Sequence, residues 1–158
     1  MTGSCPNDAK TPCAPTNRHT FIEHAAALVE QRGQRLTPIR RKVLELLLDS
    51  SNPAKAYDLL DKLDGQGAAK PPTVYRALDF LQSMGLAHKI ESLNAFVACG
   101  HAGHNHSAIF LICDACGGAE ELHADATSKA LNSETANAGF KLDHSIIEAR
   151  GICRRCQT

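Results

Sequence analysis

Between positions 18 and 99 apolar residues recur at helical spacing four times and then at strand spacing twice. Phe21, Ile22, Ala25, Leu28 and Val29 share one face of a first helix, and Gly33 supplies the left-handed residue that closes it. Thr37 is placed to cap a second helix, and Pro38 suits its first turn, where a missing N–H costs nothing. Val43, Leu44, Leu47 and Leu48 form its buried stripe. A third helix is predicted over 54–63, its stripe running through Tyr57, Leu59, Leu60 and Leu63 until Asp64 and Gly65 break it. Pro71 and Pro72 forbid helix upstream, so Thr73 is expected to cap a fourth, packed through Val74, Ala77, Leu78, Leu81 and Met84 and ended by Gly85. Its opposite face carries Thr73, Tyr75, Arg76, Asp79 and Gln82, polar groups with reach. Segments 87–91 and 95–99, joined by Ser92, Leu93 and Asn94, read as a β-hairpin. Helices followed by a hairpin is the order of a winged helix.

The next stretch, 100–107, has two glycines, three histidines and no hydrophobic period, and reads as a linker. Beyond it come a strand at 108–112, another at 119–123, a helix over 125–137 stopped by Gly139, and a strand at 144–150. These make a small α/β unit, and no internal repeat is present. Residues 1–17 are rich in Pro, Thr, Ser and Asn and are expected to form a disordered tail in which Cys5 and Cys13 are incidental. The predicted fold class is α+β: tail 1–17, winged-helix domain 18–99, His-rich hinge 100–107 and a small α/β domain 108–158.

Composition changes this picture in two ways. With 158 residues the chain suits one ordinary domain or two small ones, and its 17 basic and 17 acidic side chains cancel, so any nucleic-acid footprint must be local. One basic cluster exists: Arg32, Arg35, Arg40, Arg41 and Lys42 fall together with no acid among them. No apolar run approaches the roughly 18 to 20 residues of a membrane span, and no signal-peptide core is present, so a cytoplasmic protein is expected. In that reducing setting seven cysteines argue for metal rather than a disulfide framework.

Cys113 and Cys116 form one C-x-x-C pair, and Cys153 and Cys156 form a second, with residues 117–152 between them. Each pair presents two sulfurs to one ion, and two pairs complete a tetrahedral thiolate site with no position open for substrate, which is a structural zinc site. The intervening segment is long enough to hold a helix and a strand, so the ion ties the last strand to the first. Thiol–disulfide chemistry would want such a pair at a helix N-terminus, and neither has that setting.

A second constellation gathers near the hinge. His88 and Cys99 lie on the two hairpin segments, His106 closes the linker, and Glu121 sits on a strand of the second domain. Singly each has a plain alternative, because a hairpin histidine is usually a surface side chain and one cysteine behaves as a small hydrophobe. Together they offer two imidazoles, a thiolate and a carboxylate, a set that favours zinc over magnesium, calcium or manganese. His101, His104, His123 and His144 compete as ligands and leave a further metal site open. Ligands from hairpin, linker and second domain meet only in one relative orientation of the two domains.

The run Lys70, Pro71, Pro72, Thr73, Val74, Tyr75, Arg76, Ala77, Leu78, Asp79, Phe80, Leu81 resembles the recognition helix of the ferric uptake regulator family, and in particular its zinc-uptake branch. Arg35, Leu36, Thr37, Pro38 and Arg40, then His88 to Ser92, Ile147 to Ala149 and Gly151 to Cys153 extend the likeness over about residues 20–156. The resemblance implies a homodimer that binds double-stranded operator DNA and represses zinc-uptake genes when zinc is plentiful, with at least two zinc ions per subunit. It implies structural zinc on Cys113, Cys116, Cys153 and Cys156 and regulatory zinc on His88, Cys99, His106 and Glu121, with His104 an alternative to His106. Thr73, Tyr75 and Arg76 are then the DNA-reading candidates, and Arg35, Arg40 and Arg41 the phosphate contacts. The nearest alternative is a sensor of the same family tuned to iron, manganese or peroxide, which differs only in its ligand set; iron and peroxide sensors of the family usually carry a histidine where this chain has Asn52, Pro53 and Ala54. A zinc deaminase is excluded because the paired His-x-Glu and Pro-Cys-x-x-Cys are absent. A storage or delivery protein leaves the helix near Thr73 without a purpose. Neither enzyme activity, a small-molecule substrate nor a membrane partner is expected.

Overall fold

The computed structural model describes residues 17–64, 70–100, 108–122 and 124–157. Helix α1 (Arg18–Gln31) starts at Asn17, which was expected in the tail and instead caps the helix, its side chain accepting the His19 N–H at 3.0 Å. Gly33, at φ +68°, turns the chain into α2 (Pro38–Asp49), with Pro38 in its first turn. Helix α3 (Ala56–Asp64) begins two residues later than its apolar pattern suggests, because Ala54 pairs antiparallel with Phe96 as a one-residue bridge. Tyr57, counted in the buried stripe from the sequence, is 64% exposed, so the helix packs through Leu59, Leu60 and Leu63.

The fourth helix corrects the reading of its start. α4 (Pro71–Ser83) includes both prolines in its first turn, with Lys70 as the capping residue, and Thr73 lies inside the helix with its N–H on the Lys70 carbonyl at 2.8 Å. A proline that ends an upstream helix also has the fixed φ that begins a new one. Val74, Ala77, Leu78 and Leu81 are buried against α1, α2 and α3 in one core. Strands β1 (Ala87–Ile90) and β2 (Ala95–Ala98) follow as an antiparallel hairpin, joined by a 3-10 turn (Glu91–Leu93) and a left-handed Asn94 at φ 46°.

The second domain is a three-stranded sheet in the order β4-β3-β5, with β3 (Ala108–Cys113) antiparallel to β4 (Ala119–Leu122) and parallel to β5 (Ile146–Gly151). Alternation sends Ala108, Phe110 and Ile112 to one face, where they pack with Ile90, Leu93 and Val97 of the hairpin. The wing and the sheet thus share a small apolar core. Leu111 and Leu122 point to the opposite face and are exposed, and helix α5 (Asp125–Asn137) buries none of its residues. Among the described residues no helix is long and apolar enough to cross a membrane. Residues 1–16, with Cys5 and Cys13, lie outside the described residues, as do 101–107 and His123.

Candidate metal centres and nucleic-acid interface

The four thiols meet where β3 and β5 end side by side. Cys113 is the last residue of β3 and pairs with Gly151, so the chain turns past each strand end into a knuckle at the same height. In the first knuckle the Cys113 carbonyl accepts the N–H of Gly117, whose φ of +70° closes the turn. In the second the Cys153 carbonyl accepts the N–H of Cys156. The Cys153 N–H in turn points at Cys113 Sγ at 3.3 Å. Arg150 clamps the first knuckle from the strand of the second, its Nε and Nη2 both on Asp114 Oδ1 at 2.9 and 2.6 Å.

All four sulfurs lie within 4.8 Å of one another, and Cys116 Sγ and Cys153 Sγ are 4.0 Å apart. A tetrahedral ion with bonds of about 2.3 Å holds its sulfurs roughly 3.8 Å apart, so the thiols present fit zinc with little rearrangement. Amide donors, first that of Cys153, pull the Cys113 thiol down to about 6, whereas hydrogen bonds with Cys153 and Cys116 push Cys156 up to about 12. The hydrogen bonds thus favour the thiolate at Cys113 and the thiol at Cys156, and an ion bound by all four sulfurs must displace protons.

The second group forms across the two domains. His88 stands on β1, Cys99 follows β2 and is fully buried, and Glu121 reaches over from β4, their donor atoms again within 4.8 Å of one another. His88 Nε2 is 3.7 Å from Glu121 Oε1, and both side chains are largely buried at 14% and 12% exposure. Glu121 Oε2 accepts the Gly100 N–H at 3.2 Å, which holds the carboxylate toward the hairpin. The His88 ring rests edge-on against Phe110, centroids 5.6 Å apart. An imidazole, a thiolate and a carboxylate at this separation suit one zinc ion and leave a position for a fourth donor. His106, His101, His104 and His123 fall outside the described residues. His144 is exposed and belongs to neither group.

The DNA-reading candidates stand together on the outer face of α4. Thr73, Tyr75 and Arg76 are exposed in its first two turns while Val74, Ala77 and Leu78 face the core. Arg35 is exposed in the loop before α2, and its carbonyl accepts Arg40 Nη1 at 2.8 Å. Arg40 Cζ lies 3.5 Å over the Phe80 ring, so this guanidinium ties the Arg35 loop to α4. Arg41 meets Glu45 at 3.3 Å, a carboxylate shared with Arg18 and Lys42. What sequence reasoning missed is the set of groups supporting these sites: the Arg40–Phe80 stack, Phe110 under His88, and Glu148. Glu148 is held below the usual carboxylate range, chiefly by the Ser92 hydroxyl, with the Glu91 and Ser92 amides adding to it.

Comparison with known proteins agrees with this architecture. A family model described as the ferric uptake regulator family matches residues 31–150. The zinc uptake regulation protein of Escherichia coli (strain K12) is 41% identical over 143 residues, covering 89% of this chain and 84% of that protein. A solved zinc uptake regulator complexed with zinc and DNA is 41% identical and superposes with a TM-score of 0.83 over 90% of this chain and 96% of its own. The holo form of XcZur, 45% identical, superposes at 0.81 over 87% of this chain and 96% of its own. Its apo form, at the same identity and coverage, superposes at 0.51.

Proposed function

Because this chain belongs to the ferric uptake regulator family, we propose that it is a zinc-responsive transcriptional repressor that binds palindromic operator DNA as a homodimer and controls zinc-uptake genes. The observation that carries the reading is the convergence of His88 and Cys99 from the winged domain with Glu121 from the sheet domain. Bound there, zinc supplies a divalent charge that an imidazole, a thiolate and a carboxylate can satisfy together only when the two domains are closed on each other. His106 is our candidate for a fourth ligand. Cys113, Cys116, Cys153 and Cys156 hold a second ion whose role is structural.

The contrast between the two forms of XcZur supports this mechanism. Identity and coverage are equal for both, so the drop in TM-score from 0.81 to 0.51 reports conformation rather than sequence, and this chain has the arrangement of the holo form. In that arrangement Phe110 packs on His88 and Glu121 orients on Gly100, so the wing and α4 are carried as one body with the sheet domain. A domain pair held in one orientation need not be ordered when it meets DNA, and that difference in cost is the zinc response.

The second copy covers what the subunit leaves open. Leu111 and Leu122 on the outer sheet face, and α5 with no buried residue, are exposed among the described residues and are the surfaces a partner subunit would remove from water. Two-fold pairing places the helices of the two subunits in successive major grooves, about 34 to 36 Å apart. Arg76 and Tyr75 read bases, Thr73 supports them, and Arg35 and Arg41 meet phosphate. A protein with this task works in the cytoplasm and is not an enzyme. The test is an operator gel-shift with free zinc buffered over several decades. Zinc-dependent binding by the wild type, lost in Cys99→Ser while the structural ion is retained, is the expected result, and zinc-independent binding by the wild type overturns the proposal.

A further inference from the structure

One cross-strand row of the second sheet grips the wing at both ends. Phe110 is in register with Glu121 of β4 on one side and with Glu148 of β5 on the other. Residues paired across strands share a face, so the sheet offers the hairpin a carboxylate, a ring and a carboxylate in line. Glu121 takes the base of the hairpin through Gly100 and His88, and Phe110, 1% exposed, supports the His88 ring. Glu148 takes the tip: its Oε1 accepts the Glu91 N–H at 2.7 Å and its Oε2 accepts the Ser92 N–H at 3.2 Å. These amides open the 3-10 turn, where the first N–H groups of a helical segment find no partner within it. The Glu91 carboxylate is turned the other way, onto Lys89 Nζ at 2.6 Å.

We propose that Glu148 is a positioning residue, a metal-independent latch that closes the wing onto the sheet domain and thereby sets the zinc concentration at which the protein responds. The proposal rests on the reading of His88, Cys99 and Glu121 given above. Glu148 belongs to the second domain and its partners to the first, so the contact exists only in the closed arrangement, yet Glu148 belongs to neither group of metal-ligating side chains among the described residues. The latch and the metal triad therefore bias the same open–closed equilibrium from opposite ends of one hairpin. When a ligand binds only one of two conformations, its apparent affinity scales with the fraction already in that conformation. Loss of the latch lowers that fraction and raises the zinc needed to recover it. It leaves unchanged what the closed, loaded dimer does on DNA.

The experiment compares the full-length wild type with Glu148→Gln and Glu148→Ala in operator binding against buffered free zinc. Residue-resolved amide exchange of Glu91 and Ser92 is measured on the same proteins loaded with zinc. In Glu148→Gln the midpoint should move to higher free zinc by about tenfold, as expected for losing charge-assisted bonds at a half-exposed site, and at least as far in Glu148→Ala. Operator affinity at saturating zinc should stay within about twofold of wild type, and the two amides should exchange roughly tenfold faster. An unchanged midpoint, or a lowered plateau at an unchanged midpoint, overturns the latch. A wild type indifferent to zinc overturns the proposed function instead, and unaltered exchange at Glu91 and Ser92 then overturns the latch on its own.

Discussion

The two candidate metal centres differ in their ligands, four thiols against an imidazole, a thiol and a carboxylate, and in where the chain finds them. Cys113, Cys116, Cys153 and Cys156 come from neighbouring strand ends of a single sheet, with Arg150 and Asp114 bracing the knuckles. His88, Cys99 and Glu121 come from two domains. A site built inside one rigid unit has no arrangement to choose between, so occupancy there only stabilises. A site that spans a movable boundary turns occupancy into orientation, and the cost is that its ligands are scattered and each looks ordinary alone.

The largest effect expected from breaking this comparison is that of Cys116→Ser. Structural zinc contributes on the order of 10 kcal/mol to such a unit, so the variant should lose one ion per subunit and unfold its C-terminal half, by zinc analysis and circular dichroism. A folded, fully loaded variant would remove the distinction between the centres. Cys99→Ser should leave folding and dimerisation intact in sedimentation while the ratio of zinc-loaded to zinc-free operator affinity falls toward one.

Arg76→Ala sharpens the comparison by separating reading from sensing. It should cost about 1 to 3 kcal/mol of operator affinity with relaxed base preference, at an unshifted zinc midpoint, by fluorescence anisotropy. Arg40→Lys keeps the charge but loses the plane stacked on Phe80, and about 0.5 to 1 kcal/mol of thermal stability should go with it. An unchanged melting temperature would remove the stacking role, and a reduced salt dependence of DNA binding in Arg40→Ala would make Arg40 a phosphate contact instead. Smallest is Thr37→Ala: the Thr37 side chain makes no capping bond, so stability should stay within about 0.5 kcal/mol in urea denaturation.

Much of the fold was legible because it is written in local periods. Helices α1 to α4, the hairpin and the strands beyond the linker follow from apolar spacing, and the thiol knuckles from cysteine spacing alone. The errors arose where one residue serves two grammars. Pro71 was read as a stop and is also a start, and Tyr57 keeps the helical period yet faces solvent. The Ala54–Phe96 bridge is a single pairing, too short to leave a pattern. His88, Cys99 and Glu121 were nameable as ligand types but not separable from His144 by spacing, since what separates them is a domain contact. Glu148 was equally hidden. Strand alternation over 144–150 puts it on the face of Ile146 and Arg150, but nothing local says that a wing tip lies there.

The register between β3 and β5 links the two halves of the molecule. Cys113 lies opposite Gly151, and the Cys153 amide on the Cys113 sulfur fixes that alignment three residues beyond Glu148 on its own strand and across from Phe110. Side chains on a strand change face with every step, so inserting or deleting one residue between Glu148 and Cys153 would turn this carboxylate away from the hairpin with every thiol still in place. On the proposed reading, a length change in a segment that holds none of the proposed sensing ligands would detune the response. On that reading, the knuckles would be the index pin against which the proposed sensing groups are aligned.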